Sequence, residues 1–361
     1  MGMTYRINMP ESILESLRLK ADKNLIPINI LLELTRKCNL NCIHCYIVKN
    51  RKRKELAFVR IKKLISELRE KGCLYITITG GEPLLHPDFL KICSIINSAN
   101  IALQIFTNGT LLTDKFIREL SKLNITGIAL SLYGGTAKAH DRITRVNGAF
   151  RKTMKSALSL KKANLHPRFK YIMMNANMPE YTKMLSLSKD LGIPYDLDPV
   201  ITPCENGDIT PLKLRLDDKS LRTLYKSQNI NLVSAVRNPK SHSCSFGKSL
   251  CAINAYGDVY PCIQLPISAG NILQKPFSEI WDKSPVLKEA RRFSVNKIHS
   301  CNRCKLLKYC HICPGISYME EGSLYSPSKE ACRHARIVKE IRTDSPQRHK
   351  EHRGFIKAMR T

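Results

Sequence analysis

Acidic residues are scarce in this chain. Its 361 residues hold 30 Asp and Glu against 59 Lys and Arg, a formal net charge of +29. Such a balance steers an acidic partner or substrate toward the protein and repels a cationic one; dispersed along a chain, it equally describes a solvated surface. Aromatic residues are few, at 7%, and no RNA-binding fingerprint occurs, which argues against nucleic acid. No stretch reaches the roughly 18 apolar residues of a membrane span. The start, Met1 to Lys20, lacks a signal-peptide core. The expectation is a cytoplasmic protein without membrane association, its thiols reduced.

Cysteine, by contrast, is plentiful, with 14 residues. In a reducing compartment clustered cysteines point to metal rather than to disulfides. The densest cluster is Cys38-Asn-Leu-Asn-Cys42-Ile-His-Cys45, directly after the apolar run Ile28 to Leu34. That run reads as a buried strand feeding a loop. Three local thiolates can ligate three irons of a 4Fe–4S cubane and leave the fourth open to a ligand. A zinc site lacking one ligand is the alternative on this segment alone.

Beyond the cluster, strand and helix alternate about six times. The expected strands are Leu74 to Thr79, Ala102 to Phe106, Ile125 to Leu132, Phe169 to Met174 and Tyr195 to Ile201. Thr113 is a plausible N-cap for a helix over Thr113 to Leu123. The pattern predicts an α/β fold, a partial (β/α)6 TIM-like barrel, with a C-terminal cysteine-rich iron–sulfur module. Candidate functional clusters fall at strand C-termini, where parallel α/β barrels place their chemistry. Expected boundaries are an N-terminal extension at 1–26, a core domain at 27–235, an auxiliary-cluster domain at 236–335 and a basic, frayed tail at 336–361. Cys301, Cys304, Cys310 and Cys313 taken alone would suit a zinc ribbon equally well.

The chain resembles the radical S-adenosylmethionine (SAM) enzymes. Cys38, Cys42 and Cys45 match the family's CxxxCxxC cluster motif, and Gly80, Gly81, Glu82 and Pro83 match its GGEP motif. The resemblance implies that Gly80, Gly81 and Glu82 hold the amino group of SAM, where a carboxylate suits an ammonium. It also implies that Asn108 and Ser131, at ends of the third and fourth strands, contact the ribose and methionine portions, and that Arg142 pairs with the cofactor carboxylate. The second half is similar to the SPASM auxiliary-cluster module. By that family's interleaved pattern Cys244, Cys251, Cys262 and Cys313 would hold one 4Fe–4S cluster, and Cys301, Cys304, Cys310 and Cys332 another. One spacing departs from the pattern: two residues separate Cys310 from Cys313 where three are usual.

The implied chemistry is reductive cleavage of SAM to a 5′-deoxyadenosyl radical, hydrogen abstraction, and oxidative modification of a peptide or protein. This would be maturation of a peptide, a cofactor precursor or a sulfatase, with two auxiliary clusters handling electrons. The implied partners are an acidic peptide or protein substrate, a separate peptide-recognition protein, and a reductant such as flavodoxin or ferredoxin. A tetrapyrrole substrate, as in haem-pathway decarboxylases, is the alternative within enzymes. A non-catalytic electron-transfer or RNA-binding iron–sulfur protein is the alternative from another class. No catalytic acid or base is identified; Asp196, Asp198 and Glu205 are candidate proton acceptors. Cys73 and Cys93 sit in core contexts, Cys204 in a loop, and His44 is expected to pack over the cluster rather than to ligate it.

Overall fold

The computed structural model describes residues 11–48, 53–227 and 244–343. In chain order its regular elements begin with α1 (Glu11–Asn24), β1 (Asn29–Thr35), α2 (Phe58–Glu70), β2 (Tyr75–Gly80), α3 (Phe89–Ser98), β3 (Ala102–Thr107) and α4 (Asp114–Leu120). There follow β4 (Ile125–Ser131), α5 (Ala137–Thr144), α6 (Ala149–Lys162), β5 (Pro167–Ile172), α7 (Tyr181–Leu191), β6 (Tyr195–Asp198) and α8 (Asp218–Ser227). The last elements are β7 (Leu250–Ile253), β8 (Asp258–Tyr260), β9 (Gly270–Asn271), α9 (Phe277–Lys283), α10 (Pro285–Arg291), α11 (His299–Asn302), α12 (Pro314–Glu321) and α13 (Lys329–Thr343).

The chain divides into two compact units. One contains the described residues up to Arg215 together with Cys244–Phe293; the other contains those of Leu216–Ser243 and Ser294–Thr361.

The larger unit is a nine-stranded sheet in the order β6-β5-β4-β3-β2-β1-β7-β8-β9. Strands β1 to β6 pair in parallel, each with its successor, so the expected α/β alternation and parallel sheet are present. Parallel strands need crossovers, and amphipathic helices supply them. On α2 the buried residues are Ile61, Leu64, Ile65 and Leu68, and on α3 Phe89, Ile92, Cys93 and Ile96, the i, i+3, i+4, i+7 stripe of a helix lying on a sheet. Thr113 caps α4, accepting from the Phe116 N–H at 3.4 Å. Tyr171 of β5 donates its hydroxyl to Met184 O of α7 at 2.8 Å. Residues 169 and 171 therefore face the helices, and the alternate residues 170 and 172 face the other way.

Three features differ from the sequence reading. A strand that the sequence reading did not place, β7, adds to the free edge of β1, in register from Asn29↔Leu250 to Leu32↔Ile253. The chain passes between the units at 215/216, inside the segment 27–235, and at 243/244 and 293/294, inside the segment 236–335. Second, the N-terminal extension carries α1, whose Asp22 accepts from Ser245 and Ser249 hydroxyls at 2.9 and 2.5 Å. The single tryptophan, Trp281, is buried and donates to Leu25 O at 2.6 Å. Third, α13 runs through Thr343 with Ile337, Val338 and Ile341 buried, so residues 336–343 are packed helix rather than frayed tail. Residues 344–361 lie outside the described residues.

In the smaller unit, α8 and α13 are joined by polar contacts. Tyr225 Oη lies 2.7 Å from His334 Nδ1, Arg222 pairs with Glu340, and Arg333 donates to Asp218 at 2.9 Å. No helix among the described residues is long and apolar enough to cross a membrane.

Candidate functional site

The loop carrying Cys38, Cys42 and Cys45 leaves the C-terminal end of β1 and is pinned from two sides. Asn41 and Ile43 donate backbone N–H groups to the Thr144 and Ile143 carbonyls at the end of α5, at 3.0 and 3.1 Å. From β3, Asn108 Nδ2 donates to Asn39 Oδ1 at 2.9 Å and points toward Cys38 Sγ at 3.9 Å. The Leu40 N–H also points at Cys38 Sγ, at 3.4 Å. N–H groups aimed at a sulfur favour its thiolate. Cys204 borders the same loop, with its thiol 3.5 Å from Cys45 O.

Next to the loop, the Gly80–Pro83 segment closes β2 against β1 backbone to backbone. Gly81 and Glu82 donate N–H groups to Thr35 O and Lys37 O, both at 2.8 Å. A Cβ on Gly80, which has φ +130°, would meet Thr35 O at 2.4 Å, and one on Gly81 would meet Lys37 O at 2.3 Å. What fills the space beside these glycines is therefore the protein's own chain, at the root of the cysteine loop. Glu82 is fully buried. Its carboxylate accepts from Thr107 Oγ1 at 2.7 Å, Asn108 N at 2.7 Å and Leu84 N at 3.2 Å. Burial pushes its acid up to about 7 against the pull of those three donors. Cysteine loop, glycine turn and the end of β3 form one hydrogen-bonded block.

The remaining residues named from sequence are spread over β4, α5 and β6. Ser131 ends β4, and the Tyr133 beside it is buried under an edge-on contact with His44, ring centroids 4.5 Å apart. Burial raises the Tyr133 phenol, and the Cys42, Cys45 and Cys38 thiols add to that shift. His140 Nδ1 accepts from Tyr133 N at 3.1 Å, so its proton resides on Nε2. Burial lowers the imidazole of His44 to about 4. Arg142 donates to Ala176 O at 2.7 Å. Asp196 pairs with Arg168 at 3.3 Å, and Asp198 accepts from Val200 N at 2.9 Å.

Sequence reasoning missed Glu33. It is the one acid in the apolar run of β1, and that solitary placement was the available signal. Glu33 and Arg36 are both buried and pair at 2.9 Å. Arg36 also pairs with Glu205, which accepts from Val48 N at 2.9 Å. Burial pushes Glu33 up to about 7 despite the guanidinium. These three groups line a small cavity with Tyr46, Asn254, Tyr260 and Ile263. Tyr46 adjoins Cys45 and Ile263 adjoins Cys262, so the cavity borders the loops that carry these two cysteines.

In the smaller unit Cys301, Cys304, Cys310 and Cys332 line one cavity walled by Leu306, Leu307, Ile312 and Ala335. Burial, then the facing thiols of Cys332, Cys301 and Cys304, push the Cys310 thiol up to about 12. Four such thiols resist ionising together unless a cationic core sits among them, which a cubane provides. In the larger unit, Cys251 is buried on β7 and Cys262 follows β8. None of the 14 cysteines is in a disulfide. Among the described residues no three Cys, His, Asp or Glu side chains close around a single metal ion; a four-iron cubane asks each thiolate for a different iron.

Residues 32–179 match the radical SAM superfamily, and residues 244–305 match SPASM, an iron–sulfur cluster-binding domain. This chain is a radical SAM enzyme with a SPASM domain. It accordingly uses 4Fe–4S clusters and SAM. It is 28% identical to the AdoMet-dependent heme synthase of Methanosarcina barkeri, over 82% of this chain and 96% of that one. The mycofactocin maturase MftC of Mycobacterium tuberculosis is 26% identical, over 77% and 75% of the two chains. The crystal structure of Streptococcus suis SuiB bound to precursor peptide SuiA shares the fold. Its TM-score is 0.69 at 20% identity, covering 90% of this chain and 82% of that one.

Proposed function

We propose that this radical SAM enzyme oxidatively modifies a peptide or protein substrate. The carrying observation is the block that fixes the Cys38–Cys45 loop, Gly80–Pro83 and the end of β3 to one another. On this reading Cys38, Cys42 and Cys45 hold a 4Fe–4S cluster with one open iron. Bound there, the cluster and SAM would supply one-electron radical chemistry for removing a hydrogen atom from the substrate.

The protein's own residues orient and shield. The Gly80–Glu82 backbone meets the methionine end of SAM, and Glu82, held by Thr107 and Asn108, fixes that backbone. Asn108 and Ser131 would contact the ribose and methionine portions of SAM, and Arg142 would pair with its carboxylate. Tyr133, His44 and His140 form an apolar, poorly basic wall that excludes water from the loop. Cys301, Cys304, Cys310 and Cys332 hold one auxiliary cluster; Cys244, Cys251, Cys262 and Cys313 hold the other. The domain boundaries expected from sequence are kept as the functional division, with the core at 27–235 and the auxiliary-cluster region at 236–335. A flavodoxin or ferredoxin supplies electrons, and a separate recognition protein delivers the peptide, both in the cytoplasm.

A peptide substrate is supported by the maturase MftC and by SuiB, which has been seen with its precursor peptide. A tetrapyrrole substrate is the second reading, favoured by the likeness to a heme synthase along 96% of that relative. Mass spectrometry of reconstituted reactions separates the two. Loss of hydrogen from a peptide encoded beside the gene supports maturation. Loss of carbon dioxide from a porphyrin propionate, with the peptide untouched, replaces it.

A further inference from the structure

Lys170 is at the centre of β5, on the side turned away from α7. It is in register with Ser131 of β4 and Asp196 of β6. Its side chain does not run outward to solvent, as lysines usually do. It crosses β4 instead and sets Nζ 4.2 Å from the ring centroid of Phe106 on β3. The crossing is possible because the β4 positions along the way are small: Ser131, in register with Lys170, and Ala129, in register with Phe106.

Among the described residues this ammonium has no hydrogen-bond or ion-pair partner; Asp198 and Asp196 act on it only through space. Burial lowers its pKa, and the through-space pull of Asp198 and Asp196 offsets that only in part. A second orphan points the same way. Gln104 Oε1 is buried without a hydrogen-bond partner, two residues before Phe106 on the same face of β3. A half-buried cation without a hydrogen-bond partner and a buried amide oxygen left unmatched on one sheet face are costly for folding alone. Such groups pay their way when a ligand completes them.

We propose that Lys170 anchors a carboxylate of the substrate over the Phe106 ring, with Gln104 beside it accepting a neighbouring N–H or O–H. The carboxylate would be an acidic side chain of a peptide or a propionate of a tetrapyrrole. The proposal rests on the preceding reading that the substrate is a peptide or a tetrapyrrole, either of which can carry a carboxylate. Lys170 is then a specificity-determining residue, and Phe106 the platform that holds its ammonium in place between turnovers.

The test uses the anaerobically reconstituted full chain with SAM present and two charged probes, each with a neutral counterpart. Coproporphyrin III is compared with its tetramethyl ester by absorbance. A fluorescein-labelled glutamate hexapeptide is compared with its glutamine version by anisotropy. One charged probe should bind at least about tenfold more tightly than its counterpart, the factor expected when a charged hydrogen bond is gained. K170Q should remove that preference, K170R should restore most of it, and SAM affinity should stay within about twofold in both. Preference for the porphyrin acid assigns the carboxylate to a tetrapyrrole, and preference for the glutamate peptide assigns it to a polypeptide. The proposal is overturned if neither charged probe binds, if neutral counterparts bind equally, or if K170Q keeps the preference. Loss of SAM affinity in K170Q also overturns it, by moving Lys170 to the cofactor. Charge-selective binding without deoxyadenosine release would instead sink the enzymatic reading and leave the anchor standing.

Discussion

Gly81 donates its backbone N–H to Thr35 O at 2.8 Å, and a Cβ at Gly81 would stand 2.3 Å from Lys37 O. No side chain fits between the turn that closes β2 and the root of the cysteine loop.

Gly81→Ala must therefore push the two backbones apart. The expected cost is about 2 to 4 kcal/mol of stability, as for other overpacked sites. The same displacement should remove the iron held by the Cys38–Cys45 loop, about four atoms per chain. Denaturant unfolding and iron analysis check both. A variant with normal iron and stability would show that the contact is slack.

Glu82 gives a pH signature. Its folded-state pKa of about 7 lies above the ordinary 4.5 because of burial. A raised acid contributes stability that is complete below about 4.5 and lost as pH rises through about 7. The loss is on the order of 3 kcal/mol. Apo-protein unfolding measured at pH 5 and pH 8 should show this slope, and Glu82→Gln should flatten it. Equal slopes for both proteins would mean that the three donors outweigh burial and keep the carboxylate ionised.

Arg36 is buried between Glu33 and Glu205. Arg36→Met leaves a buried carboxylate unpaired and should cost about 3 to 5 kcal/mol. Adding Glu33→Gln should recover much of that loss, since the uncompensated charge is removed. Thermal and urea melts of the single and double variants decide it, and additive losses would dissociate the two residues.

The four thiols of the smaller unit predict a clean iron count. Cys310→Ala should lower bound iron from about twelve to about eight atoms per chain while leaving uncoupled SAM cleavage in place. Zinc in place of the missing iron in the unmodified protein would make that cavity a structural zinc site.

Much of this molecule could be read from its residues, for reasons that also explain the gaps. The parallel strands announced themselves through apolar runs, and Thr113 through its capping chemistry, because both signals are local. β7 did not, since Leu250–Ile253 is four residues long and becomes a strand only by pairing with β1. Glu33 was hidden for the same reason: an acid inside an apolar run gains meaning only when Arg36 and Glu205 are brought to it. The glycines of Gly80–Pro83 were legible as a close-approach device. That the approaching group includes the protein's own Thr35 and Lys37 is a tertiary fact. Lys170 looks like any strand lysine until Phe106 is found beneath its ammonium.

The most direct measurement is 5′-deoxyadenosine release by the anaerobically reconstituted chain with a strong reductant, beside the Cys38→Ala, Cys42→Ala, Cys45→Ala variant. The account predicts release by the unmodified protein with about twelve irons bound, and none by the variant, which should retain about eight. Release that survives in the variant, or is absent from both, would contradict it.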